Sequence, residues 1–273
     1  MKKSTIVLIA TAVGVWIVAL VTIAVLASTG QNFKDEEITI TEDSPKITQV
    51  IKPFSSIVFS LDNVFCNNSS IGFVQCDTIT TPQLLYSEEI ADFLNYTEEN
   101  DTLNISLQCS SDDDTRYSVI LYGYRPLTIM IPSGSGKEFN ISNKQYICLY
   151  LEGITAKKLN LSEFHKIRVN SSTIDSMNIL VSSNWNCLLK INDSEIDDMK
   201  VKMTKHNGIE MTVSQDSAAT STIRNFILET SAPGKSQLTL DGISVNKVIY
   251  PWDNITLSIR NKAEIGNVYS NEK

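Results

Sequence analysis

The chain has 273 residues, 42% hydrophobic and 20% charged, proportions that fit a folded globular protein and exclude an extended disordered chain. With 31 acidic against 23 basic residues the net charge is −8, and no long basic run exists to grip a phosphate backbone, so no nucleic acid is expected as a partner. Two histidines, His165 and His206, and five scattered cysteines without a C-x-x-C pattern exclude a zinc module, and neither a metal nor another cofactor is expected.

Met1-Lys2-Lys3-Ser4 precedes an uncharged run of 23 residues, Thr5 to Ala27. A helix of that length reaches about 34 Å at ~1.5 Å per residue, enough for a hydrocarbon core of about 30 Å. Residues 5–27 are therefore expected to form a transmembrane signal anchor. The alternative is a cleaved signal peptide ending at Val25-Leu26-Ala27, but signal h-regions run only about 7–15 apolar residues. Lys2 and Lys3 before the run, and Asp35, Glu36 and Glu37 after it, put residues 1–4 in the cytoplasm and the remainder outside. The very short basic N-terminus looks bacterial, so the outside would be the periplasm or the cell surface. The polar stretch 28–45 reads as a tether between membrane and ectodomain.

Residues 46–146 carry strand candidates at irregular spacing: Ile57-Val58-Phe59, Ile71 to Val74, Leu103 to Leu107 and Leu127 to Ile131. Ser87 to Leu94 interrupts them. A serine cap, early acids and the spacing of Ile90, Phe93 and Leu94 predict one short helix there.

From residue 147 to 273 one pattern recurs. Leu151, Val169, Ile191, Val213 and Leu240 serve as anchors, spaced by 18, 22, 22 and 27 residues. Two residues before each stands an apolar partner: Leu149, Ile167, Leu189, Met211 and Leu238. Five residues after stand Ala156, Ile174, Ile196, Ala218 and Val245, and ten after stand Leu161, Ile179, Val201, Ile223 and Tyr250. The column eight after reads Leu159, Met177, Met199, Ser221 and Val248, with the serine as its one polar member. A last copy follows at Leu257 and Ile259. Alternation at period two marks strands, and Asn170-Ser171-Ser172, Asn192-Asp193-Ser194, Gln215-Asp216-Ser217 and Asp241-Gly242 supply turns. Units of this size cannot bury an apolar face alone, but stacked as rungs about 4.8 Å apart they bury a continuous column. The expected fold is all-β: a parallel, right-handed β-solenoid (β-helix) ectodomain with one short helix, behind an N-terminal transmembrane helix. An antiparallel sandwich, the competing architecture, does not account for constant offsets within units. Glu152, Asn170, Asn192, Ser214 and Asp241, each one after an anchor, suggest a structural side-chain ladder at a corner.

Three segments resemble a known family. Phe54 to Ser60 is similar to the opening F-x-x-I-x-[VF]-S strand of the bacterial head GIN domain, proposed as the head of auto-transporter adhesins. The acidic short helix followed by Asp101-Thr102-Leu103-Asn104-Ile105 resembles that family's D-x-L-x-I element, and Leu127-Thr128-Ile129 through Ser133-Gly134-Ser135-Gly136 its strand and S-G-S-G turn. The resemblance spans about residues 46–268 and implies a β-helical envelope domain with an adhesive or binding role. It carries no catalytic residues. The cysteines and the acidic loop Ser110 to Arg116 depart from it.

Candidate chemistry is sparse. Cys66 and Cys76 flank a short segment and are the expected disulfide pair, since export permits disulfides. Cys187 lies on the inward parity as a buried thiol, and neither histidine falls near a cysteine in the rung register. Asp112-Asp113-Asp114 lacks the spaced ligands and glycine of a calcium loop and reads as a solvated turn. Asp175 and Asp197 share the column six after their anchors, with Lys157 one rung earlier. Stacked carboxylates could bind a ligand or perform acid/base work on a glycan, although no arginine stands in that register. Tyr146, Tyr150, Trp185, Tyr250 and Trp252 are candidate exposed aromatics for sugars or partners.

The expected function is a membrane-anchored, extracytoplasmic binding protein without enzymatic activity, whose partner is an envelope protein or a surface glycan. A polysaccharide-acting β-helix enzyme using Asp175 and Asp197 is one alternative. A signalling or assembly subunit pairing through its membrane helix is another.

Overall fold

The computed structural model describes residues 16, 18–22, 34–67, 70–109, 117–134, 138–143, 147–182, 186–204, 210–231, 235–251, 253, 255–261 and 263–270. Most of the expected membrane span 5–27 lies outside them; residues 16 and 18–22 are helical. No helix among the described residues is long and apolar enough to cross a membrane.

In chain order the strands are β1 (Lys34–Ile40), β2 (Lys46–Val50), β3 (Ser56–Asp62), β4 (Val64–Asn67), β5 (Ser70–Cys76), β6 (Gln83–Ser87), β7 (Leu94–Glu99), β8 (Thr102–Gln108), β9 (Tyr117–Gly123), β10 (Leu127–Pro132), β11 (Glu138–Asn143) and β12 (Cys148–Glu152). They continue as β13 (Thr155–Ser162), β14 (Lys166–Asn170), β15 (Thr173–Val181), β16 (Cys187–Asn192), β17 (Glu195–Met203), β18 (Glu210–Ser214), β19 (Thr222–Thr230), β20 (Ser236–Asp241), β21 (Ser244–Tyr250), β22 (Ile255–Arg260) and β23 (Glu264–Ser270).

Three sheets result. Sheet I is small, in the order β1-β9-β4. Sheet II runs β2-β6-β10-β5-β12-β14-β16-β18-β20-β22, and sheet III runs β7-β8-β3-β11-β13-β15-β17-β19-β21-β23. From β11 onward the chain alternates between sheets III and II, and from β13 each strand pairs in parallel with the one two places earlier. The antiparallel pairs β2–β6, β6–β10 and β7–β8 are confined to the N-terminal end. There the layers are also out of chain order. The circuit β8-β9-β10 lies outside β3-β4-β5, and β11 and β12 return to pair with β3 and β5.

The period-two alternation of the sequence is the period of burial. In β15, Met177, Ile179 and Val181 are each no more than 2% exposed and alternate with residues that are not buried, and Ile174 is buried three residues before Met177 because Asp175 is an extra residue that the pairing skips. β-branched and long aliphatic side chains fill this interior because the pleat sends alternate residues to the same face.

The register departs from the constant offsets at two places, between β16 and β18 and between β17 and β19. Leu151, Val169 and Ile191 stack as expected, but Leu189, not Ile191, pairs with Val213. The column expected to hold Ser221 is Leu159, Met177, Met199, Phe226 and Val248, and Ile223 takes the place expected for Ala218. Residues 217–221 are an extra loop at a corner. The slip between β16 and β18 is of two residues and keeps every side chain on its face, so hydrophobic parity does not reveal it, and the five residues of the corner shift β19 against β17 as a block.

The corners are held by hydroxyls. Ser172, Ser194 and Ser221 are each no more than 3% exposed. Ser172 Oγ accepts from Ile154 N at 3.0 Å, Ser194 Oγ from Ser172 N at 3.0 Å, and Ser221 Oγ from Ser194 N at 3.4 Å. Each hydroxyl donates to a backbone carbonyl, of Asn170, Asn192 and Ile191 respectively, so buried polar groups of one rung are satisfied by the next. An asparagine ladder also exists, but on sheet III: Asn178 Nδ2 donates to Asn160 Oδ1 at 2.9 Å, and Asn160 Nδ2 to Asn140 Oδ1 at 2.7 Å. In the column where a ladder was expected, Asn170 instead donates to the Tyr150 hydroxyl.

Two further expectations change. The helix over 87–94 shrinks to a single 3₁₀ turn, Glu88–Ile90, because Ser87 spends its hydroxyl on the Glu89 carboxylate rather than on a capping bond, and Leu94 opens β7. The tether 28–45 contains β1, paired along its length with β9. Of the expected disulfide pair, Cys66 is buried in sheet I and Cys76 is half-buried at the end of β5 in sheet II, with a corner between them.

Candidate ligand-binding face

Five strands of sheet II, β2-β6-β10-β5-β12, put their outer residues around one depression. Val74, Leu85, Thr128 and Met130 form its floor, Lys46, Tyr86, Tyr124, Arg125 and Glu152 its rim, and it encloses about 300 Å³. The floor stays low where Gly72 lies between Thr128 and Tyr150, since a Cβ on Gly72 would sit 2.8 Å from Thr128 Oγ1.

The rim is set by the corner between sheets I and II. Gly123 ends β9 with φ +91°, and a Cβ there would lie 2.3 Å from the Ile40 carbonyl oxygen, so only glycine makes this turn. Tyr124 N then donates to that carbonyl at 2.8 Å, and Pro126 fixes the far side by accepting from Ser87 N at 2.9 Å. Arg125 is thereby aimed over the sheet. Its guanidinium lies 3.9 Å from the Tyr150 ring centroid and 5.2 Å from that of Tyr124, and Nη1 is 3.3 Å from Glu152 Oε2. Lys46 Nζ stands 5.1 Å from the Tyr124 ring centroid. Such cation–aromatic contacts each contribute about 0.5–2 kcal/mol and hold the planar guanidinium ready for a planar anion.

The face continues beyond the depression. Gly72, Tyr150, Arg168 and Lys190 stand in one column, with Lys166 and Leu188 beside it. From β2 to β16 the outer face thus carries Lys46, Arg125, Lys166, Arg168 and Lys190. Among the described residues, the carboxylates paired with them are Glu152, on Arg125, and Asp216, whose Oδ1 is 2.6 Å from Lys190 Nζ. That lysine's hydrogen bond holds the Asp216 carboxyl below the usual carboxylate range. A positive, aromatic-edged stripe therefore runs along a chain of net charge −8.

The sequence-derived candidates fare differently. Asp175 and Asp197 do share a column of sheet III with Lys157, flanked by the pairs Ile174↔Ile196 and Ser176↔Asp198. Contrary to expectation, an arginine stands next in that column: Arg224 Nη2 is 3.1 Å from Asp197 Oδ1. The extra corner residues 217–221 move Arg224 into place. Tyr150 is half-buried and part of the face, whereas Tyr250 is buried. Tyr146, Trp185, Trp252 and Asp112 to Asp114 lie outside the described residues. Among the described residues no three His, Cys, Asp or Glu side chains gather closely enough to hold a metal ion.

A histidine does meet a cysteine. His165 Nε2 lies 3.5 Å from Cys148 Sγ, because Lys166 pairs with Cys148 and His165 precedes it. Burial pushes the Cys148 thiol up and His165 down to about 4, so the pair is thiol and neutral imidazole, the reverse of an activated nucleophile. What the sequence reading missed was Tyr124-Arg125. The run Tyr122-Gly123-Tyr124-Arg125-Pro126, an arginine between aromatics and locked by glycine and proline, was the available signal.

No family model matches the chain, so the head GIN resemblance stands on the quoted segments alone. No curated protein matches it either. Among solved structures it is similar to a candidate adhesin of Bacteroides fragilis, at 17% identity and TM-score 0.42, covering 81% of this chain and 99% of that one. It is also similar to a candidate lipid binding protein of Parabacteroides distasonis, at 13% identity and TM-score 0.38, covering 86% and 100%. A candidate adhesin of Parabacteroides merdae follows at 11% identity and TM-score 0.37, covering 87% and 100%.

Proposed function

We propose that the chain is a membrane-anchored, extracytoplasmic right-handed β-solenoid whose sheet II face binds an acidic glycan without cleaving it. The observation that supports this reading is Arg125, held between Tyr124 and Tyr150 at the mouth of a 300 Å³ depression on the positive stripe of an acidic chain. Tyrosine faces pack against sugar rings, and a pre-oriented guanidinium takes a carboxylate or sulfate in two parallel hydrogen bonds. Arg168 and Lys190, one strand apart, extend the contact along a chain-like ligand. The cleaving alternative has less support, because Asp197 is engaged by Arg224 rather than stacked alone against Asp175.

Binding of polygalacturonate oligomers, measured by calorimetry against a neutral glucan, tests the reading. Arg125→Ala is expected to weaken uronate binding by about 10- to 100-fold, the value of a charge-assisted hydrogen bond. Arg125→Lys recovers part of it, and added salt weakens all of it. Equal affinity for the neutral glucan, or indifference to Arg125→Ala, would sink the proposal.

The anchor is part of the same proposal. The uncharged run Thr5 to Ala27 behind Lys2 and Lys3 supports a cytoplasmic N-terminus. Protease added to spheroplasts is expected to digest the ectodomain with the membrane intact; full protection would refute this orientation.

A further inference from the structure

The two ends of the stack are built differently. At the N-terminal end sheets II and III finish on antiparallel strands, and the 3₁₀ turn tucks Ile90 away to 0% exposure. At the other end both sheets stop on parallel strands, β22 and β23, each with one edge open among the described residues. The inward columns show the consequence. Leu240 and Val248 are 0% exposed, while their neighbours one strand on, Ile259 and Val268, are 53% and 40% exposed.

Sheet edges are ordinarily blunted by lysine, proline or a bulge. These two strands contain no lysine and no proline. Their charged residues are Arg260, the last residue of β22, and Glu264, the first of β23, which stand on the two sides of one corner.

We propose that this open end docks on the open end of a second copy, about a two-fold axis parallel to the strands. β22 and β23 run in opposite directions on facing sheets, because the chain turns back between residues 260 and 264. Rotation about that axis lays β22 of each copy antiparallel to β23 of the other. The open backbone groups then pair, and Ile259 and Val268 of both copies close one continuous core. The same rotation sets Arg260 of each copy beside Glu264 of the other, twice. A two-fold axis along the sheet normal would instead place those corners at opposite ends. The charge placement therefore selects the first arrangement, and a self-complementary patch is what a second copy requires.

β1 lies at the capped end, so on the membrane-anchored reading above the copies meet tip to tip, away from the tether. The docking geometry itself rests on neither the anchor nor the glycan.

The test is sedimentation equilibrium of the full chain in mild detergent, over a wide range of protein concentration. A reversible dimer is expected. Ile259→Lys should raise its dissociation constant by about tenfold or more. Arg260→Glu and Glu264→Arg should each weaken it, and the double exchange Arg260→Glu/Glu264→Arg should restore it. All these side chains are substantially exposed, and unchanged melting of each variant checks that the fold survives; the charge exchange decides the matter even if Ile259→Lys does not fold. A monomer at every concentration, association indifferent to these substitutions, or a double exchange that fails to restore it would each overturn the proposal.

Discussion

Phe226→Ala is expected to lower the unfolding free energy by about 3–5 kcal/mol. The ring is 0% exposed and stacks between Met199 of β17 and Val248 of β21. Its removal opens a cavity in a column that is closed above and below, with little room to collapse. Ser221→Ala is expected to cost less, about 1–3 kcal/mol, by leaving Ser194 N without its acceptor and Ile191 O without its donor. Urea unfolding followed by circular dichroism measures both. Constant sequence offsets would put Ser221 in the core column and Phe226 outside it. A loss below about 1 kcal/mol for Phe226→Ala would therefore refute the pairing of β17 with β19 described above.

Acid is expected to destabilise the protein through His165. The imidazole is 8% exposed, and burial lowers its pKa from 6.5 to about 4. A hydrogen bond with the Ile147 backbone opposes the shift, and the Lys166 charge adds to it. The unfolded chain takes up the proton first, so the folded state loses ground as pH falls below about 6.5. The loss is complete below about 4 and amounts to about 3 kcal/mol, at ~1.4 kcal/mol per unit. Above pH 6.5 both states are neutral at this site and the slope vanishes. Carboxylates contribute acid slopes of their own, so the informative quantity is the difference between the parent and His165→Gln. The two stability curves should converge as pH falls through this window. Curves that stay parallel would show that His165 is not held neutral by burial.

The reading of the sequence succeeded where the controlling physics is local. Side-chain direction alternates with every strand residue, so Leu149, Leu151, Ile167 and Val169 announce an inward face without reference to any partner. Register is different. Ala218 and Ile223 are both apolar and both fall at acceptable offsets, and only the pairing of Ile196 with Ile223 shows that the corner begun at Gln215-Asp216-Ser217 runs on to residue 221. The same corner hid the neutralisation of Asp197, since it decides that Arg224 lies next in the column.

The site was harder to see for a topological reason. Tyr150 was legible as a half-exposed aromatic, but its partner Arg125 lies on a corner 25 residues earlier. They meet because β10 pairs outside β5 while β12 pairs on β5's other edge, with Gly72 between them. No periodicity encodes that crossing. His165 and Cys148 meet for a related reason, through a β12–β14 register that sets one residue beside a strand end. What the sequence determined by itself was the strand period, the inward columns and the stacking of rungs, because those follow from residues near one another in the chain. The tertiary structure decided the register at the long corner, the order of the N-terminal layers and the cluster around Arg125. Each depends on loop closure and edge pairing between distant segments, which alternation leaves degenerate.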